Sequence, residues 1–172
     1  GLCMFHGVLV ERKKFGSLGF NILYEFNDSD RECALKTLEL FVDREVRKEI
    51  PWRALEYING DITYGGRVTD EWDMRCVRTV LKLFAREDIL DEDYTYSESG
   101  TYKCPESPKL DDFKRYVSQL PMREAPEVFH LHENANIVYE TKEANFFLAT
   151  IIESQTKMSS SQGGTSDKIV AD

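Results

Sequence analysis

Two adjacent glycines, Gly65 and Gly66, interrupt a helical pattern and constrain the fold of this chain more than any other feature. They lie in the run Ile62-Thr63-Tyr64-Gly65-Gly66-Arg67-Val68-Thr69-Asp70-Glu71-Trp72-Asp73-Met74-Arg75. A glycine pair permits positive φ and a close backbone approach, so the chain is expected to reverse sharply between two helices here. Thr69 is the expected N-cap of the second helix. Asp70, Glu71 and Asp73 fall in its first turn, where negative charge suits the helix dipole. Arg67 stands at the joint as its single cation.

Apolar spacing places helices on either side. Leu2, Phe5, Val8 and Leu9 predict a first helix that ends in Arg12-Lys13-Lys14, where cations favour a C-terminus. Gly16 and Gly19 open a loop that runs through Asn21 to Phe26. Asp28 or Ser29 caps a second helix striped by Ala34, Leu38, Phe41 and Val42. Pro51 starts a short third helix with Trp52, Leu55 and Ile58. Trp72, Cys76, Val80, Leu83 and Phe84 form the strongest stripe, after the glycine joint. Residues 87–108 read as a long connection, with extended pieces at Tyr94-Thr95-Tyr96 and Thr101-Tyr102-Lys103. Connections of that length usually carry function or drape over a partner, and the tyrosines argue for packing. Leu110, Phe113, Val117 and Leu120 mark another helix, stopped by Pro121, and Pro126 starts a short turn through His130. Residues 137–152 read as a last helix with Ala144, Phe147, Leu148 and Ile151 on one face. Residues 154–166 are rich in Ser, Gly and Thr and read as a flexible linker. The expected fold is all-α with a few short extended segments. Its expected boundaries are 1–125 for the main helical domain, 126–153 for the last helices, and 154–172 for the linker and a restarting apolar pattern.

With 172 residues, 41% of them hydrophobic, the chain can bury a real core. Its 22 basic and 31 acidic residues give a net charge of −9, an unfavourable surface for nucleic acid or any anionic polymer. Cys3, Cys33, Cys76 and Cys104 are scattered singly, with Cys33 and Cys76 on apolar helix faces. Buried thiols in a reducing compartment are expected. No stretch has the apolar length of a membrane helix. There is no initiator methionine or signal peptide, and both ends fall in mid-pattern, as in a fragment of something larger.

Chemistry-bearing motifs are sparse. Gly60-Asp61-Ile62-Thr63-Tyr64-Gly65 has the glycine spacing of a phosphate loop, but Gly66 and Arg67 stand where Lys and Ser or Thr are needed. It also follows a helix rather than a buried strand. His130-Leu131-His132 with Glu133 offers two imidazoles, but residues two apart do not share a helix face, and no third ligand completes a set. No Ser or Cys sits in a nucleophile-presenting motif. No catalytic, cofactor-binding or metal-binding residue is expected in this chain itself.

The glycine-joint run resembles the corresponding stretch in the C-terminal part of the dynein heavy chain motor. Glu11-Arg12-Lys13-Lys14-Phe15-Gly16, Tyr24-Glu25-Phe26-Asn27-Asp28-Ser29-Asp30, Ile50-Pro51-Trp52 and His132-Glu133-Asn134-Ala135-Asn136 follow that family in the same order, over roughly residues 2–155. The wording of the Val68–Asp73 and His132 strings is closer to axonemal dyneins than to cytoplasmic ones. Ser17, Leu23 and Phe20 depart from the commoner pattern in one loop. The resemblance implies the helical lid of the sixth AAA+ module, leading into the C-terminal domain. It implies a parent that hydrolyses ATP with magnesium at other modules and moves on microtubules in the axoneme of cilia or flagella. Partners would be the neighbouring AAA+ modules and the C-terminal domain of the same heavy chain, with microtubules reached only through the parent motor and neither nucleic acid nor membrane involved. The role implied for the lid is structural and mechanical, with Arg67, Gly65 and Gly66 as an interdomain contact. Two alternatives stay open: nucleotide sensing through Arg67, or binding of a regulatory partner through Tyr94–Tyr102.

Overall fold

The computed structural model describes residues 1–42, 49–105 and 109–162, with side chains through 155. Six α-helices are joined by short irregular turns: α1 (Leu2–Arg12), α2 (Asp28–Val42), α3 (Trp52–Tyr57), α4 (Glu71–Phe84), α5 (Leu110–Gln119) and α6 (Asn134–Gln162). The described residues include no strand. The expected all-α class with short extended pieces is what the chain adopts. Thr95 and Lys103 form an isolated antiparallel bridge inside the long connection, of which residues 106–108 lie outside the described set.

The core forms where α1, α2 and α4 meet. α1 contributes Phe5, Val8 and Leu9, α2 contributes Ala34, and α4 contributes Val77, Val80, Leu81 and Phe84, all buried. Tyr64 is fully buried, its ring edge-on to Phe5 at 5.0 Å. Edge-to-face contacts of this kind suit the ring quadrupoles and add to the area they bury. Phe20, Tyr24 and Phe26 from the loop after α1 form a second aromatic cluster that reaches Tyr64 through Phe26 at 5.8 Å.

Four expectations need correction. On α4 the buried face is Asp73, Val77, Val80, Leu81 and Phe84, while Trp72 is 68% exposed. The expected stripe was thus rotated by about one residue, because a large apolar ring at Trp72 outweighed a small acid at Asp73. On α5, Leu110, Phe113 and Val117 have helical spacing yet face solvent. That helix is tied down by Tyr116, whose hydroxyl accepts from Lys103 N and donates to Thr101 O, each at 2.9 Å. Cys33 is exposed and Cys76 half-buried, so the thiols are not core groups. The first compact unit runs from Gly1 to Ala135 rather than ending at 125, since Val128 and Phe129 belong to its core.

The described part of the second unit, residues 136–162, is helical, with Phe146, Phe147, Leu148, Ile151 and Ile152 exposed. α6 continues to Gln162, across the start of the stretch whose composition suggests a linker. Once a helix is nucleated, each further residue adds one hydrogen bond for one residue fixed, so Ser and Thr are tolerated. The linker expectation for 163–172 lies outside the described residues.

Candidate functional site

The glycine joint is a change of helical pitch rather than a hairpin reversal. α3 widens into a π-helical turn at Ile58–Thr63, closed by Tyr64 N donating to Asn59 O at 3.0 Å. It then tightens into a 3₁₀ turn at Gly65–Arg67. Only after that does the chain extend, at Val68 (φ −90°, ψ 122°), before α4 begins. Neither Gly65 nor Gly66 has positive φ, which among the described glycines occurs at Gly16 and Gly100. The joint uses close approach instead. A Cβ at Gly65 would lie 2.4 Å from Gly60 O and 3.1 Å from Met74 Cε, whereas one at Gly66 would meet nothing within 4 Å. The π turn presses one carbonyl into the space that a side chain would need.

Arg67 is placed by a carboxylate of α2. Its Nε donates to Asp30 Oδ1 at 2.8 Å, and the other Asp30 oxygen accepts from Asn27 N at 2.9 Å. The Asp30 side chain is 9% exposed and that of Arg67 39% exposed. The two terminal amines of the guanidinium make no hydrogen bond among the described residues. Asp30 therefore fixes one edge of a planar donor fork and leaves its outer edge facing solvent.

The N-cap of α4 is Asp70, not Thr69. Asp70 Oδ1 accepts from Asp73 N at 2.9 Å, while Thr69 is exposed. A carboxylate at this position also meets the positive end of the helix dipole, which a hydroxyl one residue earlier would not. Hydrogen bonds from the Asp73 amide and the Asn21 side chain hold the Asp70 carboxyl below its ordinary range.

Two buried charged residues, which helix-end position alone marks as ordinary solvated charges, lock the joint to the rest of the unit. Asp73 is 3% exposed; it accepts from Asn21 N at 2.8 Å, from Ile22 N at 3.0 Å and from the Tyr24 hydroxyl at 3.0 Å. The same hydroxyl accepts from Asp70 N, so the loop after α1 is bolted to the start of α4. Arg12 is 5% exposed. Its Nε and Nη2 donate to Gly19 O at 3.2 and 2.9 Å, its Nη1 donates to Phe129 O, and its Nη2 also reaches Cys76 Sγ at 3.2 Å. The guanidinium lies over the Phe20 ring at 5.4 Å. Burial pushes its pKa down, against the opposing pull of Cys76 and Asp73. A buried charge is tolerated when it is hydrogen-bonded on several sides, and both of these are. A signal for both was present in the sequence: Arg12 continues the stripe of Phe5, Val8 and Leu9, and Asp73 begins that of Val77, Val80 and Phe84.

The remaining candidates are absorbed into structure. His130 takes a left-handed conformation (φ 53°) with its ring edge-on to Phe84 at 5.9 Å. The Nδ1 of His132 accepts from Asn134 N at 3.2 Å, at the start of α6. Tyr94 donates to Leu83 O at 2.9 Å, Tyr96 lies against Phe84 at 5.7 Å, and Tyr102 is buried. Tyr94 and Tyr96 anchor the long connection through these contacts yet stay half-buried along a surface concavity, while Tyr102 is taken into the core.

Residues 1–135 match the family model described as the dynein heavy chain AAA lid domain. The chain is similar to human dynein axonemal heavy chain 6, with 53% identity over 99% of this chain and 4% of that protein. It is 44% identical to human dynein axonemal heavy chain 1 over 99% of its length, and 38% identical to mouse dynein axonemal heavy chain 12 over 96%. The chain spans about 4–5% of the length of these curated relatives.

Proposed function

Because this chain belongs to the dynein heavy chain AAA lid domain family, we propose that it works as a mechanical lid in the ring of an axonemal, ATP-driven microtubule motor. In this reading it transmits rigid-body motion between neighbouring AAA+ modules and the C-terminal domain of the same heavy chain. ATP and magnesium serve the parent at other modules, and microtubules are reached only through the parent. The chain itself carries no catalytic step. Close-packed cores move as one body because they do not deform continuously. The Asp73 and Arg12 networks supply that cohesion, tying loop, α1 and α4 into one unit.

The observation that carries the contact assignment is the guanidinium of Arg67. It is held on one edge by Asp30 and open on the other, with Gly65 shaping the turn that presents it. A planar fork of free donors suits a carboxylate on an adjoining module. The same open edge also suits a phosphate, which keeps nucleotide sensing as the second reading.

Arg67→Ala in the intact motor separates the two. Loss of a module contact should slow microtubule gliding and ATP turnover at every nucleotide concentration, leaving the apparent nucleotide affinity unchanged. A shift confined to nucleotide affinity would favour sensing, and unchanged gliding and turnover would refute both. Calorimetry on the 172-residue chain should show no saturable ATP binding at micromolar concentration, and saturable binding would refute the mechanical assignment.

A further inference from the structure

A cleft between α3 and the middle of α4 concentrates cations in a chain whose net charge is −9. Arg53 on α3 and Arg78 and Lys82 on α4 line it, all exposed. Arg78 is already engaged, donating through Nε at 2.8 Å and through Nη2 to Asp61 Oδ1. Arg53 and Lys82 make no hydrogen bond or ion pair among the described residues. Glu56 is the other carboxylate in the wall, so the cleft keeps a positive balance once Arg78 and Asp61 cancel. Arg75, exposed one turn before Arg78, extends the positive edge along α4.

Between the cations the cleft has an apolar base. Leu81 is 2% exposed, and beside it the Tyr57 ring stands 60% exposed. The cavity measures about 240 Å³. That is below the roughly 300–1,000 Å³ of a small-molecule pocket, but enough for one side chain of a docking segment. Nucleotide is also disfavoured chemically, since no glycine-rich turn offers backbone amides to a phosphate here. Exposed aromatic rings flanked by cations are a common recognition element, with the ring supplying area and the charges supplying steering and register.

We propose that the α3–α4 cleft is a docking site for an acidic polypeptide segment, which seats one apolar side chain between Tyr57 and Leu81 and sets carboxylates against Arg53 and Lys82. The charge complementarity names the occupant: an acidic strand meets unpaired cations on a protein that would otherwise repel it. The surface includes neither Arg67 nor Asp30, meets the joint only through Asp61 of its π turn, and does not depend on the mechanical reading.

The test uses the full 172-residue chain and a fluorescent glutamate-rich peptide with one central phenylalanine. Binding by anisotropy should saturate, weaken with added salt, and fall roughly tenfold or more in the double variant Arg53→Glu, Lys82→Glu, a change of about 1.4 kcal/mol. The control variant Lys36→Glu, Lys114→Glu alters net charge equally on exposed positions elsewhere and should bind like the parent sequence. Replacing the peptide's phenylalanine with serine should weaken binding, and amide shifts on titration should centre on Tyr57 and Leu81. Equal losses in the two double variants would reduce the effect to net charge and overturn the site. So would an absence of binding at low salt, or displacement of the peptide by ATP.

Discussion

Asp73 does more for this fold than a first-turn acid needs to, because three donors from one loop converge on its two oxygens. Removing it takes the acceptor from the amides of Asn21 and Ile22, which lie at the surface, and from the proton of the buried Tyr24 hydroxyl, which keeps Asp70 N as its donor. Asp73→Ala should therefore cost about 1–3 kcal/mol, read as a drop in the denaturant midpoint of the 172-residue chain. A loss below about 1 kcal/mol would show that water replaces the carboxylate freely. His6 gives a second prediction at this scale. Its Nδ1 is 3.0 Å from the hydroxyl of the fully buried Tyr64. Burial, with Arg31 nearby, lowers its pKa despite the opposing pull of Asp28 and Asp30. The unfolded chain, with its histidine near about 6.5, takes up the proton first. Stability is then fully present above that pH and declines as pH falls through the lower folded value. Burial also lowers the pKa of His130, which adds to the same slope. Melting curves between pH 7.5 and 5 should show the decline, and His6→Gln should flatten part of it. The lowered carboxyls of Asp70 and Glu124 act only at more acidic pH, whereas burial also lowers the Gly1 amine and adds to the same slope, so the share of His6 is read from the variant. An unchanged slope in His6→Gln would remove His6 from this account.

Among the elements, the glycine joint shows why spacing alone misled. The pair suggested positive φ, but the chain needed room for a carbonyl at one position and nothing special at the other. Gly65→Ala should destabilise by about 2 kcal/mol or more, since its methyl would strike the Gly60 carbonyl or force the π turn open. Gly66→Ala should be neutral or stabilise by about 0.4–1 kcal/mol, because it restricts the unfolded chain without meeting a neighbour. Thermal melts of the two variants check this directly, and equal losses would refute the distinction. Periodicity was a sound guide to where α1, α2, α3 and α4 lie, since apolar spacing and capping acids act locally. It failed at the question of which face is buried, on α4 and α5, because Trp72 and Phe113 are apolar by composition but face solvent in this unit. Of the candidate site, Arg67 was legible as a lone cation at a turn. Its partner Asp30, 37 positions earlier, was not, since ion pairs across helices depend on tertiary register.

At the scale of the whole unit, closure rests on one long-range grip. Arg12 leaves α1 and binds the carbonyl of Phe129, 117 positions away, while Lys14 beside it pairs with Glu124 at 2.8 Å and lies 4.9 Å from the centre of the Phe129 ring. The turn at Pro126–Phe129 is thus part of the lid rather than the start of something else. A chain truncated after residue 125 should lose cooperative unfolding, or melt far below one that ends at residue 135 or beyond. Equal melting of the two truncations would return the boundary to the shorter limit suggested by composition.

That grip also dictates an order of events at the ribosome. Within this unit the guanidinium of Arg12 meets the Gly19 carbonyl seven residues later, but its Nη1 has no final acceptor until Phe129 has been synthesised. Until then that amine waits in water, although the apolar face of α1 already has its partners in Tyr64 and Phe84. The core can therefore begin to assemble before its last turn exists, and the contact with Phe129 is the step that completes it.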